Sequence, residues 1–348
     1  MGFDASVISG VTKFIKPEFD LNNLELGWAV ASLTLTSTLA MMLAGPISDR
    51  IGRKQTLKWA AVLYAVSAIS SALAPTFLTL VIARMIGGFG VGASLILAPL
   101  YIAEIAPKEM RGRLVSFNQL NIVVGISLAF FSNYMVIQWA KSSAEWAVMM
   151  GFADHEWRWM LGLETLPAVI YFIGLFTIPK SPRWLILKGR YQEAEEIMSR
   201  IAGPEKAKQE MLRIRESIAK EKNKEKAKIS DLLKPSLRLV LTIGIVVAVL
   251  QQITGINSVF FYAPMIFEQS GLGTDAAFMQ AIFVGLVNLI FTLLAILFID
   301  KLGRKPLLSF GVAGIVISMF TLAYGFSQAQ YKLSDKALTE MSDELNRE

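Results

Sequence analysis

The chain has 348 residues, of which 54% are hydrophobic and only 18% are charged, and its formal net charge is +6 at pH 7. A soluble globular protein is usually about 45–50% apolar and about 25% charged, so this composition favours a protein with several membrane spans over a soluble domain. The sequence has no cysteine and a single histidine, His155. A disulfide framework, a cysteine metal site and a histidine-based metal site are thereby excluded, and no cofactor is expected.

The excess of basic residues does not indicate a nucleic-acid partner. Much of the Lys and Arg lies in turns between apolar segments and in residues 180–235. Basic residues in such places orient a membrane protein, because they are enriched in cytoplasmic loops. We therefore expect a lipid bilayer around the chain and no contact with nucleic acid.

Long apolar segments alternate with short charged turns along most of the chain. A membrane-spanning helix needs roughly 20 residues. Segments near that length lie at 27–47, 57–74, 78–102, 115–138, 159–178, 237–266, 277–299 and 306–326. A further apolar segment at 1–11 is too short to cross alone. We interpret it as the outer half of a first helix whose inner half is absent.

The distribution of Lys and Arg assigns a side of the membrane to each loop. The turns at 49–58, 104–113 and 300–305 and the block at 180–235 are basic and fall on one side, which we assign to the cytoplasm. The mixed charges from Tyr191 to Lys228 predict a solvated helical linker. The expected organisation is an N-terminal bundle, a cytoplasmic linker, a partial second bundle and an external segment, at 1–179, 180–235, 236–327 and 328–348.

Two charged turns share one pattern, Asp-x-x-Gly-Arg-Lys, at Asp49–Lys54 and Asp300–Lys305. A charged turn that recurs between long apolar segments indicates an internal repeat in a membrane protein. The first turn is similar to the loop between the second and third helices of the major facilitator superfamily.

Four further motifs resemble the sugar-porter branch of that superfamily, and they occur in its order and at its loop positions. They are Arg84-x-x-x-Gly88-x-Gly90-x-Gly92, Pro99-x-Tyr101-x-x-Glu104 with Arg111-Gly112, Pro179-Lys180-Ser181-Pro182-Arg183-Trp184, and Gln251-Gln252-x-x-Gly255-x-Asn257 with Tyr262-Ala263-Pro264. The chain resembles bacterial proton-coupled transporters of the xylose, arabinose and galactose type over its whole length.

The resemblance implies twelve helices in two halves, with a sugar bound between them near the middle of the membrane. We therefore expect an all-α membrane protein with an incomplete major facilitator fold. About nine of the twelve helices are present and the first is partial; helices ten to twelve are absent. The implied location is the inner (plasma) membrane, as a monomer.

The implied function is transport of a monosaccharide together with a proton by alternating access. A facilitative sugar uniporter is the first alternative, and a non-transporting sugar sensor or an inactive fragment is the second. An enzyme is not expected, because no nucleophile–base pair or cofactor loop is visible. Pentose, hexose and polyol porters share the relevant amides, so the sugar is left open.

Asp4 lies within an apolar helical segment, and an acid inside the membrane is costly and by default functional. Its expected partner is Arg84, near the middle of the fourth helix. Burial and a neighbouring Arg shift a carboxyl pKa in opposite directions, so a balanced group can exchange a proton. The resemblance assigns this pair to proton coupling, and the alternative is a structural ion pair.

Amide side chains within the apolar spans are the candidate sugar ligands, because a carboxamide both donates and accepts hydrogen bonds, as a sugar hydroxyl does. Amides also join transmembrane helices, so the assignment rests on positions that match the family's sugar contacts. The candidates are Gln119, Gln251, Gln252, Asn257 and Asn288, with Phe260 as an aromatic contact or as simple packing.

Charged residues at the cytoplasmic helix ends form a second predicted site. In the family they form interlocking salt bridges that favour the outward-open state. The corresponding residues are Asp49, Arg53, Glu104, Arg111, Asp300 and Arg304. Glu164, early in the sixth span, is a further buried acid. It is either a second coupling group or the partner of an Arg in the absent helices.

Overall fold

The computed structural model describes residues 1–107, 110–222, 234–271 and 273–328. These residues form helices joined by short loops, and no strand occurs among them. The helices are α1 Gly2–Glu18, α2 Asn23–Ile51, α3 Arg53–Ala72, α4 Phe77–Ile105, α5 Arg111–Ala140, α6 Glu145–Met149, α7 Glu156–Leu163, α8 Thr165–Thr177, α9 Pro182–Leu187, α10 Tyr191–Ala202, α11 Pro204–Lys222, α12 Pro235–Ile253, α13 Ile256–Gln269, α14 Thr274–Leu302 and α15 Arg304–Gln328.

The chain forms two compact units, residues 1–292 and 293–348. The first contains α1 to α13 and most of α14. Of the second, the end of α14 and the whole of α15 are described. The expected external segment lies outside the described residues from 329 onward, as does the end of the predicted linker from 223.

Among the described residues, seven helical segments are long and apolar enough to cross a membrane, and α7 with α8, and α12 with α13, each count as one segment. They match the expected spans except for the one near 57–74. That span corresponds to α3, a helix of 20 residues. Its serines make α3 less apolar, and Ser67 and Ser71 are buried. The predicted linker is helical in its described part, as α10 and α11.

Side chains at the helix ends explain where two of the long helices begin. The Asn22 side chain accepts hydrogen bonds from the first turn of α2, and Glu25 bonds back to the Asn22 backbone. Thr76 and Thr79 make the same reciprocal arrangement at the start of α4. Such capping boxes satisfy backbone N–H groups that a helix leaves unpaired at its N-terminus.

Small residues allow α2 and α4 to pack closely. A Cβ atom added at Gly92 would lie 2.0 Å from the backbone oxygen of Ser37. A Cβ atom at Gly88 would lie 1.9 Å from the Oγ1 atom of Thr36. Interhelical contacts in membranes depend on such small residues, because the backbones can then approach one another. This packing holds α4, and with it Arg84, against its neighbours.

Gly92→Ala is expected to lower the Tm of the purified protein. The new methyl group would collide with backbone atoms of α2, and overpacking typically costs about 1–3 kcal/mol. Gly174→Ala is the matched control, because nothing lies within 4 Å of a Cβ atom at that position of α8. Equal melting temperatures for the two variants would contradict the close α2–α4 contact.

The segment 235–269 is broken in the middle. α12 ends at Ile253, and Gly255 adopts the left-handed conformation, with φ +74°, before α13 begins. Glycine adopts this conformation without steric cost. A second irregularity follows at Tyr262, two residues before Pro264. This segment is therefore a discontinuous helix, an arrangement that builds binding sites in membrane transporters.

Candidate functional site

Asp4 and Arg84 lie together in the interior of the first unit. The Asp4 Oδ1 atom is 3.7 Å from the Arg84 Nη1 atom, and the two side chains are only 1% and 2% exposed. The Arg84 Nη2 atom also donates to the backbone oxygen of Asp4, at 3.4 Å. Helix α1 is buried along most of its length. It thereby places an acid where solvent does not reach it.

Glu164 is the third charged residue at this place. It lies at the junction of α7 and α8 and is 4% exposed. The charges of both Asp4 and Arg84 act on its carboxyl group. The sequence left Glu164 open between a second coupling group and the partner of an Arg in the absent helices. The structure places Glu164 beside the Asp4–Arg84 pair.

The polar atoms of this cluster are incompletely paired within the described structure. Both carboxylate oxygens of Asp4, the Nε atom of Arg84 and the Oε1 atom of Glu164 make no hydrogen bond. Two carboxylates and one guanidinium carry a net charge of −1 when all three are ionised. Binding one proton makes the cluster neutral, and a buried group favours neutrality because charge burial is costly.

The amide residues are only partly brought together. The Asn257 Nδ2 atom donates to the Gln252 Oε1 atom at 2.9 Å, across the break between α12 and α13. Both side chains are exposed. Gln119 on α5, Gln251 on α12 and Asn288 on α14 make no hydrogen bond with another described residue, so their carboxamides remain available.

Phe260 contacts the N-terminal half of the chain. Its ring stacks on that of Phe130 on α5, with centroids 6.3 Å apart and an interplanar angle of 21°. Phe130 is 1% exposed, whereas Phe260 is partly exposed. The structure therefore places Phe260 in an aromatic contact between α13 and α5.

Asp49, Arg53 and Glu104 form an ion-pair network at the face assigned to the cytoplasm. The Arg53 Nη1 atom lies 2.5 Å from Asp49, and its Nη2 atom lies 3.1 Å from Glu104. The Arg53 and Glu104 side chains are 6% and 5% exposed, whereas Asp49 is 61% exposed. The Arg53–Glu104 pair is therefore a buried contact between the start of α3 and the end of α4.

The segment after α8 completes this network. The Ser181 hydroxyl donates to Glu104 at 2.5 Å, and the Trp184 Nε1 atom donates to the backbone oxygen of Asp49 at 3.2 Å. Tyr101 donates to the backbone oxygen of Pro179 at 2.8 Å. Sequence reasoning noted the motif around Ser181 but gave Ser181 and Trp184 no role. A short polar motif immediately after an apolar span was the available signal.

The remaining residues of the predicted cytoplasmic group are not part of this network. Arg111, at the start of α5, makes no ion pair with a described residue, and its Nε atom is buried without a hydrogen bond. Asp300 and Arg304 belong to helices, but their side chains lie outside the described part of the chain.

Two ion pairs at the opposite face were not predicted. The Lys13 Nζ atom lies 2.5 Å from Glu268 and donates to the Thr274 hydroxyl at 2.6 Å. Lys141 lies 2.5 Å from Asp275. These pairs join α1 and α5 to α13 and α14 at the face assigned to the outside. Their partners are far apart in sequence, so no local pattern indicated them.

Known proteins resemble this chain in sequence. Residues 1–339 match the family described as "Sugar (and other) transporter". The arabinose-proton symporter of Bacillus subtilis (strain 168) is 41% identical over 325 residues, which are 93% of this chain and 68% of that protein. The D-xylose-proton symporter of Escherichia coli (strain K12) is 38% identical over 352 residues, covering 93% of this chain and 69% of that protein.

Solved structures show the same fold. The partially occluded inward open conformation of the xylose transporter XylE from E. coli aligns with a TM-score of 0.81 at 37% identity. The alignment covers 94% of this chain and 76% of that one. The same transporter bound to 6-bromo-6-deoxy-D-glucose aligns with a TM-score of 0.76. The incomplete major facilitator fold predicted from the motifs is confirmed. The chain belongs to the sugar transporter family of the major facilitator superfamily, as a multi-pass protein of the inner membrane.

Proposed function

We propose that this protein moves a monosaccharide across the membrane together with a proton, by alternating access. The observation that carries the proposal is the buried cluster of Asp4, Arg84 and Glu164. A facilitative uniporter has no need of an acid that is 1% exposed within an apolar helix. Intramembrane acids of this kind mark proton pathways.

Asp4 is the proton carrier in this proposal, with Arg84 as its counter-ion. When Asp4 is ionised, its attraction to Arg84 holds α1 against α4. Protonation weakens that attraction and lets the two helices shift. Glu164 adds a second negative charge to the same place and increases the gain from binding one proton. The alternative role, a purely structural ion pair, predicts no loss of coupling on neutralisation.

The sugar site in this proposal is formed by the amides Gln119, Gln251, Gln252, Asn257 and Asn288, with Phe260 beside it. The break at Gly255 supports this assignment, because it frees backbone and amide groups near the middle of the segment. The Gln252–Asn257 hydrogen bond fits a pair of ligands that orient each other. No enzymatic step is proposed, and the working form is a monomer in the lipid bilayer.

The two ion-pair groups act as gates at opposite faces. Asp49, Arg53 and Glu104 are the proposed cytoplasmic gate, for which Arg111, Asp300 and Arg304 remain further candidates from the sequence, and the Lys13–Glu268 pair is a candidate outer gate. We retain 1–179 and 236–327 as the two functional bundles, joined by the linker at 180–235. Exposed pairs contribute only about 0–1 kcal/mol each, but a small bias shifts a two-state equilibrium.

This function is tested by measuring sugar uptake into liposomes that contain the natural protein, purified from cells. Labelled xylose or arabinose should accumulate against its gradient when the outside is acidic, and a protonophore should abolish the accumulation. Equilibration without accumulation would indicate a uniporter. Binding without any flux would indicate a sensor or an inactive fragment.

Lys13→Gln is expected to shift the protein toward its outward-facing state, since it breaks the contact with Glu268. The sequence contains no cysteine, so Asn288→Cys supplies a single labelling site. An impermeant maleimide added outside should label it up to about fivefold faster in the Lys13→Gln background, as expected for losing about 1 kcal/mol. Lys16→Gln, on the same helix, is the control. Equal rates in both backgrounds would remove Lys13 from the outer gate.

A further inference from the structure

A cavity of about 780 Å³ lies at the face assigned to the cytoplasm. It is lined by the end of α4, by the starts of α3 and α5, and by the linker helices α9, α10 and α11. Cavities of about 300–1,000 Å³ accommodate small organic ligands. This cavity is separate from the Asp4 cluster and from the amides.

The charge of the lining is strongly positive. Its basic side chains are Arg53, Arg111, Arg183, Lys206 and Arg213. Among the described residues of the lining, the acids that face them are Glu104 and Glu210. Glu104 is already engaged with Arg53, and Glu210 lies 3.5 Å from Arg213. The described lining residues thus carry five basic groups against two acids, a surplus of three positive charges.

Two of these basic residues make no ion pair within the described part of the chain. Arg111 belongs to the bundle and Lys206 to the linker helix α11. The Nε atom of Arg111 is buried without a hydrogen-bond partner. A buried donor without an acceptor is costly, and a bound anion would remove that cost. An Arg from α5 and a Lys from α11 that line one cavity suit a phosphate group, which accepts several charge-assisted hydrogen bonds.

The rest of the lining indicates more than an inorganic ion. Leu100, Met198 and Ile214 provide apolar walls beside the basic residues. The volume greatly exceeds that of a phosphate ion. We propose that this cavity binds an organic phosphate, with the phosphate group held between Arg111 and Lys206. The source is either a soluble phosphorylated metabolite or the headgroup of an anionic phospholipid.

Such a ligand would restrain the linker against the bundle. The lining of the cavity on the bundle side includes Glu104 and Arg53, the buried pair of the cytoplasmic network. A phosphate that bridges α5 and α11 would stabilise this packing of the linker against the bundle and slow any movement of the linker away from it. Occupancy from the cytoplasmic side would therefore reduce the rate of transport without competing at the sugar site.

Binding to the full-length protein in phosphatidylcholine nanodiscs tests the site directly, with glucose 6-phosphate and inorganic phosphate as probes in calorimetry. Lys206→Gln should weaken glucose 6-phosphate binding at least about tenfold, as expected for losing one charge-assisted contact. Lys208→Gln is the matched control, because Lys208 lies on the same helix outside the cavity. Arg111→Gln should weaken glucose 6-phosphate binding similarly. The Tm of this variant without ligand, compared with that of the wild type, shows whether it is folded.

A second arm distinguishes the two sources. Nanodiscs that contain phosphatidylglycerol should raise the Tm of the wild type, but not of Lys206→Gln, if the lipid headgroup is the ligand. Loading liposomes with glucose 6-phosphate should slow uptake by the wild type and by Lys208→Gln, but not by Lys206→Gln, if the ligand is soluble. If neither probe distinguishes the wild type from Lys206→Gln, the site does not bind phosphate and the proposal is wrong.

Discussion

Asp4→Asn is expected to abolish uphill accumulation of sugar while leaving sugar exchange across the membrane intact. The substitution is nearly isosteric and removes the group proposed to carry the proton. Because the Asp4 side chain is only 1% exposed, solvent water does not reach this position and does not take over the role of its carboxyl group. Accumulation should fall to the equilibrium level, whereas counterflow of labelled sugar into preloaded liposomes should continue at a similar rate.

The comparison of accumulation with counterflow separates coupling from simple damage. A misfolded variant loses both activities, and a structural ion pair predicts lower stability with coupling intact. Asp154→Asn, in an exposed loop, is the control for neutralising an acid. Accumulation by Asp4→Asn at the wild-type level would remove Asp4 from the coupling role. Glu164→Gln adds a graded test, because a supporting acid should alter the pH dependence of uptake without abolishing it.

Arg53→Gln is expected to have the largest effect on stability. Glu104 would be left buried, at 5% exposure, without its cationic partner. Breaking a buried ion pair on one side typically costs about 3–5 kcal/mol. The measurement is the Tm of the purified protein in detergent, with Arg50→Gln as the control at an exposed position of the same turn.

The double variant Arg53→Gln with Glu104→Gln makes this prediction specific. Once both charges are gone, no unpaired charge remains, so the double variant should be more stable than Arg53→Gln alone. The double-mutant cycle gives the interaction free energy of the pair. If the two single effects simply add, the Arg53–Glu104 contact does not stabilise the protein.

Much of the fold was predictable from local patterns. Apolar length predicted the spans, and each repeated Asp-x-x-Gly-Arg-Lys turn lies where one long helix ends and the next begins. These features depend on short stretches of sequence, because a helix in a membrane satisfies its own backbone hydrogen bonds. Less was predictable for α3, whose buried serines reduce its apolar character. Its place in the bundle is decided by packing against α4.

The sequence indicated candidate site residues most clearly where a charged side chain lies within an apolar span, because such a residue is costly in the membrane. Asp4, Arg84 and Glu164 could be identified because buried charge demands an explanation. The pairing of Glu164 with the other two was not visible, since α1, α4 and α7 meet only in the folded bundle. Lys13 with Glu268 and Lys141 with Asp275 were missed for the same reason. Each residue alone looks like an ordinary charge at the end of a helix.

The break at Gly255 allows α13 to rotate as a unit about a hinge at its N-terminus. Its 14 residues span up to about 21 Å at 1.5 Å per residue, a length that the irregularity at Tyr262 shortens somewhat. A rotation of about 10° at Gly255 would therefore displace its far end by about 4 Å. Glu268 lies at that far end, one residue before α13 terminates. A small change in two backbone angles would thus be enough to separate Glu268 from Lys13, the contact proposed as the outer gate.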